Sequence, residues 1–187
     1  MTVIAIDPGT VTGWACAGRS GTCNIVPLLA APTKGRTKEP EHYRCGKLWS
    51  LLEYVVADAR NVVHAHTVVC EGARSFVKGK HAVRVSNELR GVVKAWCYVR
   101  GWQYVEVQPQ DLQRFVTGRC QVPKEEMLRL AKERYGYTGD DDNEADALHL
   151  YAWAEKYAGA IPQRVAGGAA ASGIALPGPV AAANTPH

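Results

Sequence analysis

An apolar, β-branched run that ends on an acid constrains this chain more than any other feature: residues 3–6 read Val-Ile-Ala-Ile, and Asp7 follows directly, before Pro8 and Gly9. Such a run is a buried strand. It ends on a carboxylate only if something pairs with the charge, because an isolated ion is costly to desolvate. Two partners are open: Asp-Pro-Gly is good turn chemistry, so Asp7 can cap a turn, or it can hold a cation. The pattern returns in "HTVVCEGA", an apolar strand that ends on Glu71.

Around these two strands the chain punctuates itself. Residues 3–7, 12–17 and 22–27 are short β-type runs separated by Gly-containing turns at 8–9 and 18–21, which predicts an antiparallel three-stranded meander. "PTKGRTKEPEHYR" leads into a helix ending near Asn61, with Leu48, Leu51, Leu52, Val55 and Val56 at helical spacing. After the strand ending at Glu71 comes a helix over about 80–100. "WQYVEVQ" is then a fifth strand stopped by Pro109, and two or three helices fill 110–159, the last starting at "GDDDNEADAL". Three hairpin strands followed by strands alternating with helices describe an α/β fold, a mixed five-stranded sheet flanked by helices.

Length and composition agree. The 187 residues, 47% hydrophobic and 21% charged, suit one domain over 1–158, followed by an Ala/Gly/Pro-rich tail, 159–187. Arg164 is the only Lys, Arg, Asp or Glu in that tail, which lacks apolar periodicity, and the composition predicts disorder. A net charge of +4 permits a polyanionic partner without requiring one. The six cysteines form no C-x-x-C pair, and Cys70 and Cys97 lie in apolar runs, so we read them as reduced, small hydrophobes. With no basic leader before an apolar segment and no 18-residue apolar stretch, the expectation is a cytoplasmic protein without a membrane span.

A third acidic group stands at the last helix, where Asp142, Asn143 and Asp146 crowd the first turn. Spacings of i, i+3 and i, i+4 bring 143 and 142, respectively, onto the side of 146. A helix N-terminus accepts acids through capping and its dipole, so "DDDN" also reads as a cap with solvated charges. Asp146 resists that reading, because Ala145, Ala147 and Leu148 flank it. If the first and fourth strands are neighbours and the last helix packs across them, three or four oxygen ligands converge. Hard oxygen donors suit Mg²⁺ or Mn²⁺, and two such ions can activate a water and stabilise a leaving oxygen in phosphodiester hydrolysis.

"AIDPGTVTGWA", "VVCEGA", "VTGRCQVPKEEM" and "NEADALHLYAWA", in this order and spacing, resemble the RuvC-type Holliday junction resolvases of the RNase H-like superfamily. The resemblance covers residues 1–157 and fits a phage or a bacterial member equally. It implies an RNase H-like fold and a homodimer, with the helix over about 80–100 as the contact, acting on four-way DNA junctions with two Mg²⁺ ions per site and Mn²⁺ able to substitute. It assigns the metals to Asp7, Glu71, Asn143 and Asp146. The family usually carries Asp or His where Asn143 stands, so Asp142 is a second candidate for the fourth ligand. Lys124 matches a basic residue that the family uses close to the scissile phosphate.

Basic residues supply the DNA-facing expectation. Arg74, Lys78, Lys80, Arg84 and Arg90 follow Glu71 and are interleaved with Phe76, a pattern that fits phosphate contact plus stacking on an unpaired base. The alternative is a solvated loop with Phe76 in the core. Arg114, Arg119 and Lys124 form a second cluster. The histidines show no metal-ligand spacing, and the Trp and Tyr residues sit at core-like positions. Three rivals stay open: a related nuclease for other branched DNA or RNA, an inactive DNA-binding relative, and an actin-like ATPase. The last shares the D-x-G-T opening but needs two such domains.

Overall fold

The computed structural model describes residues 2–17, 19–25, 42–58, 66–72 and 80–157. The proposed tail, together with Arg74, Phe76 and Lys78, lies outside these residues. The elements are β1 (Thr2–Asp7), β2 (Val11–Cys16), β3 (Arg19–Asn24), α1 (His42–Asp58), β4 (His66–Glu71), α2 (Lys80–Arg100), β5 (Gln103–Val107), α3 (Pro109–Thr117), α4 (Lys124–Tyr135) and α5 (Asp142–Tyr157). The strands form one mixed sheet in the order β3-β2-β1-β4-β5, with β1–β2 and β2–β3 antiparallel and β1–β4 and β4–β5 parallel. This is the expected arrangement of three hairpin strands plus two parallel ones.

The meander is shifted from its expected register. β3, expected over 22–27, occupies Arg19–Asn24, because the turn is only two residues long: Cys16 pairs with Arg19 across it. Ala17 takes the positive φ of 39° that so tight a turn demands. Gly21, read as part of the turn, is a strand residue opposite Trp14, and a Cβ on it would stand 3.0 Å from the indole. Pro109 ends β5 as expected. It also starts α3 at a position where a missing N–H costs nothing.

Strand alternation divides the core in two. Ile4, Ile6, Trp14, Cys16 and Val68 face α1 and α2, which contribute Leu48, Leu51, Leu52 and Val55 from one and Val85, Leu89, Val93 and Trp96 from the other. On the opposite face the small residues Ala5 and Ala15, with Val3, Val69 and Val107, receive Ala147, Leu150 and Ala154 of α5 and Leu112 of α3. Small side chains on both sides let α5 approach the sheet closely. A satellite cluster of Val116, Val122, Met127 and Leu130 joins α3 to α4. All six cysteines are free thiols, and burial pushes that of Cys97 up to about 12. Among the described residues no helix is long and apolar enough to cross a membrane.

Candidate functional site

Asp7 and Glu71 stand level on neighbouring strands: Ile6 pairs with Cys70 in the parallel β1–β4 ladder, and the two acids are the next residues on each strand. Asp7 alternates with Val3 and Ala5, and Glu71 with Val69, so both belong to the face that α5 covers. Gly13, paired with Asp7 across the β1–β2 ladder, sets how near α5 comes. A Cβ there would lie 2.0 Å from the backbone oxygen of Asn143, so only glycine admits the first turn of α5. One turn into the helix, Asp146 belongs with Ala147 and Leu150 among the residues buried at the sheet. Asp7, Glu71 and Asp146 are 9%, 7% and 8% exposed, so three carboxylates from three elements are nearly withdrawn from water around the same end of one sheet face. An ionised carboxylate in such a position needs compensating partners.

The first turn of α5 is capped from within the "DDDN" stretch, a reading the sequence offered, and is held by further bonds from Ser20 and Tyr137 that the sequence did not signal. The N-cap is Asp141: its Oδ1 accepts the backbone N–H of Asn143 at 2.9 Å, and its carbonyl accepts that of Ala145 at 3.2 Å. The same Oδ1 accepts the side-chain amide of Asn143 at 3.0 Å. Burial raises the Asp141 pKa, but the bonds donated by Asn143, the Glu144 backbone and Thr22 outweigh it and hold the carboxyl below its usual range. Glu144 is fixed by Ser20 at 2.7 Å and Tyr137 at 3.3 Å. Asp142 forms an ion pair with Lys124, bringing two candidate residues together.

The proposed DNA-facing residues are only partly described. Lys80 opens α2, but its side chain is outside the described residues. Arg84 pairs with Glu88, Arg114 with Asp111 and Arg119 with Glu126, all with the arginine more than half exposed. Surface pairs of this kind are weak and exchange readily for phosphate. Arg90, grouped with the loop cations from sequence, is instead 5% exposed on the inner side of α2, bonded to Ser86 at 2.7 Å and Asn87 at 2.5 Å. A run of basic residues in sequence becomes a mixture of faces once it is wound into a helix. Gln113 accepts the backbone N–H groups of Gln121 and Val122 at 2.8 and 3.4 Å, which fixes the loop that carries Arg119 toward Lys124. His149 is fully buried between the Met127 carbonyl (2.9 Å) and the Tyr135 hydroxyl (3.1 Å), a satisfied core histidine.

Chemically, three buried carboxylates with a neighbouring amide are a hard-oxygen donor set of the kind that suits Mg²⁺ or Mn²⁺. Among the described residues no three His, Cys, Asp or Glu side chains already form a metal-holding group. The three carboxylates share one face and one end of the sheet rather than a single point.

No family model matches the chain. It is 30% identical over 151 residues to the crossover junction endodeoxyribonuclease RuvC of Anaeromyxobacter sp. (strain K), covering 80% of this chain and 78% of that protein. The RuvC of Anaeromyxobacter dehalogenans (strain 2CP-C) is 29% identical over the same length. Among solved structures, Thermus thermophilus RuvC superposes with a TM-score of 0.61 at 21% identity, covering 86% of this chain and 96% of that one. The same protein in complex with a Holliday junction substrate gives 0.63 at 18% identity, with the same coverage. The fold is thus that of RuvC, an RNase H-like sheet and its helices. With the sequence identity spanning four-fifths of its length, the chain belongs to the RuvC family of crossover junction endodeoxyribonucleases.

Proposed function

We propose that this protein is a metal-dependent, structure-selective endonuclease that resolves four-way DNA junctions by paired phosphodiester hydrolysis. One observation carries the reading: Asp7, Glu71 and Asp146, buried on one sheet face beneath the first turn of α5, in a chain of this family. Asp7, Glu71, Asp146 and the side-chain oxygen of Asn143 would hold Mg²⁺ or Mn²⁺, two ions per site. Bound there, the metals supply an activated water and stabilise the leaving oxygen. Both Asp142 and Asn143 lie one turn from Asp146; Asn143 is favoured as the fourth ligand because it stands in the family's register and the Asp142 carboxylate is engaged by Lys124. Lys124, freed from Asp142 when DNA arrives, would neutralise the phosphate being cut.

Arg84, Arg114 and Arg119 would track the backbone. Arg74, Phe76, Lys78 and Lys80 would engage the opened centre of the junction. Two copies are needed to nick two strands related by two-fold symmetry. Their contact would be α2, whose outer face exposes Val83, Tyr98 and Val99. The working unit is residues 1–158, with 159–187 an appended tail, and the protein acts in the cytoplasm.

The test is cleavage of a synthetic four-way junction, a flap and a linear duplex, each with and without Mg²⁺. Selective, Mg²⁺-dependent cutting of the four-way junction is expected. Preference for the flap would point to another branched substrate. Binding of the junction without cutting at any Mg²⁺ or Mn²⁺ concentration would favour an inactive relative, the reading to which Asn143 lends support.

A further inference from the structure

We infer that Asp141 is a positioning residue that turns the Asn143 amide so that its oxygen, not its nitrogen, is presented to the metal site. The inference deepens the proposed function and rests on it. An amide side chain has one acceptor end and one donor end, and at a cation only the acceptor is useful. Something must therefore choose between two orientations that differ little in shape. Asp141 does so with a group that can only accept: its Oδ1 takes the Asn143 Nδ2–H at 3.0 Å and the Asn143 backbone N–H at 2.9 Å. With the NH₂ committed to that carboxylate, Oδ1 of Asn143 is directed away from it. Reversing the amide would set its oxygen against an anionic oxygen.

Asp141 is itself held from outside the site. Its backbone N–H donates to the Tyr137 hydroxyl at 3.1 Å, and that hydroxyl donates to the Asp141 carbonyl at 3.2 Å. Tyr137 and Ser20 both bond Glu144, so β3, the α4–α5 connection and the first turn of α5 are tied together. The same geometry rationalises why an amide is compatible with position 143. An aspartate there would face the Asp141 carboxylate with no proton between them, and the pair would have to be exchanged as a unit.

The test separates orientation from capping. Asp and Asn are equivalent N-caps, but an amide at position 141 can offer either of its ends to Asn143. Full-length wild type, Asp141→Asn, Asn143→Asp and the Asp141→Asn/Asn143→Asp double variant are stripped with EDTA. Their melting temperatures are measured, and Mn²⁺ binding is then followed by calorimetry. Asp141→Asn is expected to keep the fold, melting at or slightly below wild type in EDTA, and to bind Mn²⁺ roughly 10- to 100-fold more weakly, the loss typical of removing a ligand's supporting partner. Asn143→Asp is expected to melt lower than wild type in EDTA. The double variant is expected to recover that loss, since the amide introduced at position 141 can donate to the carboxylate introduced at position 143.

Unchanged Mn²⁺ affinity in Asp141→Asn would overturn the inference and leave Asp141 a helix cap. Should Asp141→Asn itself prove destabilised, the double variant decides: recovery of both melting temperature and Mn²⁺ affinity supports the pairing, and no recovery overturns it. Wild type that binds no Mn²⁺ would instead overturn the metal reading on which the inference stands.

Discussion

At the scale of single residues, charge placement was legible wherever a carboxylate sat in an apolar setting. Asp7, Glu71 and Asp146 stood out because each interrupts or ends a run that must be buried, and burial is what the structure gives them. The consecutive Asp140, Asp141 and Asp142 were not separable in that way. Each is a good cap, and their tasks are assigned by partners elsewhere in the chain: Lys132 for Asp140, Lys124 for Asp142, and Thr22 for Asp141, which Asn143 also bonds locally. Two alanine variants distinguish the fourth-ligand candidates. Asn143→Ala should raise the Mg²⁺ concentration needed for cleavage severalfold. Asp142→Ala, losing only an exposed ion pair worth less than about 1 kcal/mol, should leave it near wild type. The opposite ranking in a Mg²⁺ titration would move the ligand to Asp142.

At the scale of elements, α2 spans the expected 80–100, and helix spacing placed the apolar face of α1 correctly, since it follows an i, i+3, i+4 repeat. β3 was misplaced because Gly21 looks like a turn residue until Trp14 is known to lie across it. The role of Gly13 was equally hidden, as it depends on a helix 130 positions later in the chain. Gly13→Ala should destabilise the fold by roughly 1–3 kcal/mol through overpacking, read in urea denaturation, and should depress cleavage by lifting Asp146 from the strands. Wild-type stability would show that α5 can retreat freely.

His149 clamps α5 to α4, and its pKa is set mainly by burial, which pushes the imidazole below its ordinary value. The Met127 carbonyl favours the charged form without reversing the shift. A depressed histidine means that the unfolded chain takes up the proton first. Stability is therefore full above the ordinary histidine value of about 6.5 and falls as pH drops below it toward the lowered folded value. Denaturation midpoints should decline over that window in wild type and less steeply in His149→Gln. Equal slopes would remove His149 as the cause.

At the scale of the whole molecule, the order of motifs along the chain foretold one mixed sheet, and the fold matches, with Asp7 and Glu71 at the same end of neighbouring strands. The partner surface was less accessible to sequence reading, because an exposed apolar side chain announces itself only when its helix face is known. Tyr98 is 87% exposed and Val99 59%. If α2 is the contact between copies, Tyr98→Lys should shift the protein from dimer to monomer in sedimentation and cause junctions to be nicked on one strand rather than cut on both. A persistent dimer would put the contact elsewhere.

The central claim is that three buried carboxylates from β1, β4 and α5 make one metal-dependent cleavage site. It is tested most directly by measuring junction binding and junction cleavage side by side in Asp7→Asn, Glu71→Gln and Asp146→Asn. Each variant is predicted to bind the four-way junction within a few-fold of wild type and to lose cleavage by orders of magnitude at any Mg²⁺ concentration, as expected when a metal ligand rather than a DNA contact is removed. Wild-type cleavage in any one of the three, with the fold intact, would contradict the account.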